Sequence, residues 1–248
     1  MDFDTIEYRE IEHIGWISIK ERPGDQYKAD CLGYEVSDAC SALSSKDSIW
    51  VVIFSGAENI SLLLSGGENA NIPKESLSGA LAGIEKPVMA GIKGDVIGLG
   101  LEAILACDIR VASENSHFGL NHLEYGLIPY DGGTQRLSRL VGKGKALEMI
   151  LTGEVIDARE AHRIGLINRI VKGPDPNEVL VNLAHEMALK SPIALNYAKE
   201  TVNSGMDLTL EQGLRLEADL YMLIHTTSDR TEGIRAFQEK RTPRFKGE

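Results

Sequence analysis

Polar and apolar positions alternate in the first part of the chain, and continuous apolar runs follow. Residues 6–20, IEYREIEHIGWISIK, alternate around a glycine and predict a pair of strands. The stretches SIWVVIFSG (48–56) and KPVMAGIKG (86–94) are largely apolar and end in glycine, which is typical of strands buried on both faces. Between the first two regions, residues 31–45 carry apolar side chains at helical spacing.

Helices and short strands then alternate in the middle of the chain. LEAILACD (101–108) predicts a short helix, and IRVAS (109–113) and INRIV (167–171) predict further strands. Asp157 is expected to cap the start of one helix and Gly153 the end of another. This alternation predicts an α/β core of largely parallel strands that are joined by helical crossovers.

The last part of the chain is helical in pattern. After a polar, proline-rich break, helical spacing is found in residues 178–190, 192–204 and 208–225. We therefore predict a core domain at 1–190 and a C-terminal helical region at 191–248. The helices beyond residue 190 carry more apolar surface than a small appendage can bury alone, which predicts self-association. This apolar surface includes the side chains of Leu210, Leu214, Leu220 and Leu223.

Composition narrows the class of protein. The 248 residues carry a formal net charge of −11 at pH 7, and a chain this acidic repels nucleic acid. Cys31, Cys40 and Cys107 are odd in number and share no CxxC spacing, so we expect neither a disulfide framework nor a zinc site. The histidines form no metal-ligand pattern either. No apolar run reaches membrane-spanning length and no signal peptide is visible, so a cytoplasmic protein without a membrane partner is expected.

Two glycine-containing turns follow the two predicted strands with continuous apolar runs. They are LLLSGGENA (62–70) and GDVIGLGLEA (94–103), and the second opens a helix. Peptide N–H groups of such turns can converge on one carbonyl oxygen, although glycines also serve tight turns and close packing. GLGLEA also fits the dinucleotide-binding fingerprint G-x-G-x-x-A, but the strand at 109–113 follows too soon for the usual helix of that unit.

The segment KPVMAGIKGDVIGLGLEAILACDIRVASENSHFGL and the later GGTQRL, LTGEVIDAREAHRIGLIN and EKRTPRF carry a specific resemblance. Together they resemble the enoyl-CoA hydratase/isomerase (crotonase) superfamily over nearly the whole chain. The resemblance implies an α/β fold of the crotonase, ClpP-like type, a spiral of ββα units with a C-terminal helical trimerisation region. It also implies an acyl-CoA substrate, no cofactor beyond that CoA, and a homotrimer or a dimer of trimers.

The resemblance assigns an oxyanion hole and one catalytic carboxylate. The two oxyanion N–H groups belong to Gly67 and Leu99, although the first loop, SGGENA, departs from the usual family pattern. Glu102 matches the first catalytic glutamate of hydratases. The second glutamate is absent, because its position is occupied by His122. Glu124 lies two places further on, and on a strand it would face the same side as His122.

The exchange of glutamate for His122 changes the expected chemistry. An imidazole titrates near neutrality and is oriented best by a carboxylate, and Asp131 follows nine positions later, past a turn. We therefore predict a His122–Asp131 catalytic pair with Tyr130 as a substrate contact, a spacing that resembles a β-diketone-cleaving member of the family. The alternative is that His122 binds a backbone carbonyl group and that Asp131 serves the turn before GGTQRL.

Residues that contact CoA are expected at both ends of the chain. Arg22 and Lys28 lie in ERPGDQYKAD, and Phe237 and Lys240 lie in AFQEKR. In relatives, these regions contact the nucleotide part of CoA, sometimes from a neighbouring subunit.

Three functions remain open at this point. The first is a lyase that adds water to an α,β-unsaturated acyl-CoA through an enolate. The second is a hydrolase that cleaves a carbon–carbon bond of a cyclic β-oxoacyl-CoA. The third is a non-catalytic homologue that only binds CoA esters, which the missing second glutamate and the altered first loop motivate. The acyl group is expected to be selected by residues 57–85.

Overall fold

A computed structural model of the chain describes residues 2–21, 29–60, 74–173 and 175–248. The strands are β1 (Ile6–Ile11), β2 (Ile14–Ile19), β3 (Val51–Ser55), β4 (Val88–Ile92), β5 (Val96–Ile97), β6 (Ile109–Ser113), β7 (His117–Gly119), β8 (Ile156–Asp157) and β9 (Arg169–Val171). The helices are α1 (Ala29–Ser44), α2 (Leu77–Ala82), α3 (Leu99–Leu105), α4 (Gly133–Val141), α5 (Lys143–Thr152), α6 (Ala158–Arg163), α7 (Asn177–Ala188), α8 (Pro192–Gly205), α9 (Leu210–Ile224) and α10 (Ser228–Gln238). Short 3₁₀ helices cover Ala57–Ile60 and His122–Tyr125. Within these ranges, none of the helices combines the length and the apolar character that a membrane span requires.

A six-stranded sheet forms the centre of the fold, in the order β1-β2-β3-β4-β6-β9. The hairpin of β1 and β2 is antiparallel, and every other neighbouring pair in this sheet is parallel. All residues of β3 and β4 are buried, because helices cover both faces of the sheet. The predicted α/β class with a parallel-rich sheet is therefore confirmed.

A second sheet of three short strands, in the order β5-β7-β8, brings the candidate site residues together. Strand β5 leads into α3, and the parallel strand β7 leads into the 3₁₀ helix His122–Tyr125. The N–H of Gly98 extends this pairing by donating to the carbonyl oxygen of Gly119 at 2.9 Å. Because the two strands run side by side in the same direction, the elements that follow them start next to each other.

The C-terminal helices leave much of their apolar surface uncovered in the single chain. Leu220 is buried, whereas Leu210, Leu214 and Leu223 are exposed. Helix α8 is held to the core by Lys199, whose ammonium group lies 2.8 Å from the carboxylate of Asp108. The division of the chain at residue 190 remains a prediction.

Candidate active site

Glu102 lies in the first turn of α3, directly after a turn that only glycine adopts easily. Gly98 caps this helix with φ +64° and ψ −125°, a backbone conformation that a Cβ atom disfavours. The turn buries Glu102 completely, and Leu99, the first residue of the helix, is also buried. The N–H of Leu99 has no acceptor within its own helix, since the first N–H groups of a helix never do. This geometry suits the oxyanion role predicted for Leu99.

The carboxylate of Glu102 is held by hydrogen bonds on both oxygen atoms. Its Oε1 accepts the N–H groups of Asp131 and Gly133, each at 2.8 Å. Its Oε2 lies 3.0 Å from Nε2 of His122. A buried carboxylate is costly unless it is hydrogen-bonded, and these three donors meet that requirement. Glu102 is therefore fixed in position within the fold.

His122 forms a buried pair with Glu102. Both side chains are fully inaccessible to solvent. When Glu102 is a carboxylate, Nε2–H of His122 donates to it, and Nδ1 keeps a free lone pair. Among the described residues, no group donates to or accepts from this Nδ1 atom. The imidazole is thus oriented through one nitrogen, and its other nitrogen carries a lone pair that can accept a proton.

The predicted hydrogen bond between His122 and Asp131 is wrong. The carboxylate of Asp131 instead accepts the hydroxyl of Ser76 and the N–H of Ser78, the latter at 2.8 Å. The turn brings the peptide N–H of Asp131 to Glu102, so that its side chain points to the start of α2 instead. Of the two acids, it is Glu102 that orients the imidazole.

The structure also corrects the environment expected for Glu124. His122 and Glu124 lie on a 3₁₀ helix rather than a strand, and a period of three residues places positions two apart on different faces. Glu124 is exposed. Its carboxylate lies against Gly153 at the end of α5, 3.3 Å from the place that a Cβ atom on Gly153 would take.

Tyr130 lies beside the buried pair. Its ring meets the ring of His122 edge-on, with centroids 6.3 Å apart. Partial burial raises the pKa of the Tyr130 phenol, and the neighbouring carboxylates of Glu102 and Asp131 raise it further. The phenol therefore stays protonated at neutral pH and is able to donate a hydrogen bond. The predicted substrate contact remains a prediction.

The remaining predicted residues lie elsewhere. Gly67, Arg22 and Lys28 fall outside the described residues. Phe237 is on α10 and is 86% exposed, and Lys240 lies just beyond the end of that helix, also exposed. Their predicted contacts with CoA remain predictions.

One group of potential metal ligands is found in the described part of the chain, away from the elements that carry Glu102 and His122. It consists of Asp4, Cys31 and Glu35. The carboxylate of Glu35 already accepts the N–H groups of Asp4 and Thr5, at 2.8 and 2.7 Å. These bonds tie the segment before β1 to α1. We therefore assign the group a structural role.

Gly133 provides a test of how closely Glu102 is packed. A Cβ atom on Gly133 would lie 2.8 Å from Oε1 of Glu102 and 3.0 Å from Cβ of Pro129. Gly133→Ala is expected to displace the carboxylate and lower kcat by about 10²-fold, the order of effect of a 1 Å misplacement. Gly144→Ala is the matched control, because nothing lies within 4 Å of its Cβ position. Equal kcat values for the two variants would contradict the predicted packing effect.

The chain is similar to known enoyl-CoA hydratases over most of its length. Residues 65–248 match the family model described as enoyl-CoA hydratase/isomerase. The chain is 42% identical over 177 residues to 2,3-dehydroadipyl-CoA hydratase of Escherichia coli K12, covering 71% of this chain and 69% of that protein. It is 33% identical over 223 residues to crotonyl-CoA hydratase of Syntrophomonas wolfei, covering 85% of this chain and 86% of that protein.

Solved structures share the fold over its full length. The crystal structure of an enoyl-CoA hydratase from Bacillus anthracis matches with a TM-score of 0.85 and 31% sequence identity, covering 99% of this chain and 100% of that chain. The architecture is therefore the crotonase fold. The chain belongs to the enoyl-CoA hydratase/isomerase family.

Proposed function

We propose that this enzyme adds water to the carbon–carbon double bond of an α,β-unsaturated acyl-CoA. The observation that carries the proposal is the buried pair of Glu102 and His122, 3.0 Å apart, one helical turn from the N–H of Leu99, the first residue of α3. Proton-transfer groups next to an N–H that can bind an oxyanion are what enolate chemistry requires. Membership of a family whose relatives include hydratases by name supports the same reaction.

The N–H groups of Leu99 and Gly67 bind the thioester oxygen in this proposal. As the oxygen of water bonds to Cβ, the electrons of the double bond move through Cα to the thioester oxygen, where the two N–H groups stabilise the charge. The enolate then collapses and Cα takes a proton. The hydroxyl group and one hydrogen atom of a single water molecule are added across the double bond. The proposed reaction therefore needs no cofactor beyond the CoA of the substrate.

The two proton transfers are assigned to Glu102 and His122. Two carboxylates repel each other, whereas the N–H of an imidazole donates a hydrogen bond to a carboxylate. The pair accepts a proton from the attacking water and later returns one to Cα. His122 is the exchanging group, because three donors already occupy the carboxylate of Glu102. In this proposal, the phenol of Tyr130 donates a hydrogen bond to the substrate.

Hydration is preferred over hydrolytic carbon–carbon cleavage because the relatives that the chain resembles are hydratases by name. The binding of the Asp131 carboxylate to the start of α2 does not separate the two reactions, because either could use His122 without it. No observation in the described residues favours cleavage over hydration.

Mass spectrometry of the products tests the proposed function. The protein is incubated with crotonyl-CoA and, separately, with a cyclic β-oxoacyl-CoA. We expect the first ester to gain the mass of one water molecule with its chain intact. Ring opening of the second ester would identify a hydrolase instead. Tight binding of both esters without any product would support a non-catalytic homologue.

We also propose assembly into a homotrimer or a dimer of trimers, with CoA contacts from Arg22, Lys28, Phe237 and Lys240. The support is the apolar surface of the C-terminal helices, where Met206 is 70% exposed and Leu210 is 80% exposed. Exposed apolar side chains in such number are typical of an interface. Sedimentation as a monomer at micromolar concentration would contradict the assembly.

A further inference from the structure

Asp131 binds three different segments of the chain through three different groups. Its N–H donates to Oε1 of Glu102 at 2.8 Å, and its carbonyl oxygen accepts Nη1 of Arg136 at 3.0 Å. Its carboxylate accepts the hydroxyl of Ser76 and the N–H of Ser78 at the start of α2. One residue therefore joins α2, α4 and the catalytic carboxylate on α3.

These contacts close into a ring of hydrogen bonds. The hydroxyl of Ser78 donates to the carbonyl oxygen of Glu102 at 2.7 Å, which returns from α2 to α3. Ser78 and Glu102 are fully buried, and Asp131 is 7% exposed. A buried ring of this kind is held more firmly than exposed hydrogen bonds, because water does not compete for its members.

Asp131 does more than add to the capping of α2. Ser76 already caps the helix by accepting the N–H of Gly79 at 2.7 Å. Asp131 accepts a different N–H, that of Ser78, and also accepts the hydroxyl of the capping residue itself. What the Asp131 carboxylate adds is a fixed link between the start of α2 and the segment that donates to Glu102.

We infer that Asp131 is a positioning residue, which holds the start of α2 and the carboxylate of Glu102 in one fixed arrangement through Ser76 and Ser78. The inference rests on the proposed function, since it names how the proton-transfer pair is held. The start of α2 lies within residues 57–85, the part of the chain expected to select the acyl group. The link therefore connects the region of acyl selection with the site of proton transfer.

A double-mutant cycle of Asp131→Ala and Ser76→Ala tests this role with crotonyl-CoA. Each single variant is expected to lower kcat by about 10- to 100-fold with little change in KM, the effect of losing a hydrogen bond to a charged group. The double variant should lose little more than one single variant, because both changes break the same link. Asp131→Asn should recover most of kcat, since an amide can accept from Ser78 and donate to Ser76.

Ser191→Ala is a matched control at another helix. The hydroxyl of Ser191 caps α8 and donates to the buried carboxylate of Asp229 at 2.9 Å, so it repeats the Ser76–Asp131 arrangement in the C-terminal region. This variant should lower the melting temperature and leave kcat unchanged. If Ser76→Ala behaved in the same way, Asp131 would be a purely structural residue and the inference would be overturned.

The pH–rate profile separates positioning from direct orientation of His122. A positioning role leaves the shape of the pH–rate profile unchanged in both Asp131 variants. A different outcome would show that Asp131 orients His122 directly. In that case the profile would be shifted, Asp131→Asn would be as impaired as Asp131→Ala, and Ser76→Ala would have normal activity.

Amide hydrogen exchange tests the ring of hydrogen bonds independently of activity. If the wild-type enzyme hydrates no ester, the proposed function fails, but exchange at the N–H groups of Asp131 and Gly133 still tests the ring. Exchange that is unchanged in Ser76→Ala would overturn it.

Discussion

Replacement of His122 by alanine is expected to lower kcat by about 10²- to 10⁴-fold, the usual contribution of a positioned acid–base group. In the proposed mechanism, the variant removes the nitrogen that exchanges protons and leaves the N–H groups that bind the thioester oxygen. The dissociation constant for the CoA ester should therefore change little. Stopped-flow measurement of hydration and calorimetry of ester binding check the two halves of this expectation.

His117→Ala is the matched control for this variant. His117 also pairs with a carboxylate, that of Asp95 at 2.7 Å, but both groups are exposed. Its loss should leave kcat near the wild-type value. Turnover that survives in His122→Ala would instead assign the chemistry to Glu102 alone.

Glu102→Gln is expected to lower kcat by about 10⁴-fold, the loss seen when the carboxylate of a catalytic triad becomes an amide. The N–H groups of Asp131 and Gly133 must be met by the amide oxygen, so the NH₂ group faces His122. Nε2 of His122 must then accept, which moves its proton to Nδ1. The side chain keeps its shape, but the imidazole has the wrong tautomer.

Nitrogen NMR of the imidazole reports this tautomer directly, and steady-state kinetics reports the loss. Glu124→Gln is the control, because Glu124 is close in sequence, exposed and directed at Gly153. A Glu102→Gln variant with an unchanged tautomer and near-normal kcat would refute the direct pairing of Glu102 with His122.

Local features of the fold could be predicted from the sequence. The carboxylate of Asp157 accepts the N–H of Glu160 at 2.8 Å at the start of α6, and Gly153 has φ +69° at the end of α5. Both depend on chemistry within four residues. Strands β3 and β4 were predictable because burial on both faces leaves a continuous apolar run.

Partners across the fold could not be predicted in the same way. His122 lies 20 positions from Glu102 and Asp131 lies 55 positions from Ser76, and spacing along the chain does not specify such contacts. Strands of two or three residues, such as β5 and β8, are too short to show alternation. A segment as short as His122–Tyr125 likewise shows no clear period, so the sequence did not distinguish its 3₁₀ helix from a strand.

Among the described residues, Nδ1 of His122 has no hydrogen-bond partner, and this affects the thermal stability of the protein without substrate. A buried polar atom without a partner costs about 1–3 kcal/mol of folding free energy. A ligand that brings a donor to this atom recovers that cost on binding and adds it to the stabilisation from its own affinity. The free energy of unfolding is therefore lower without substrate than with substrate bound, and saturation with substrate is expected to raise the melting temperature.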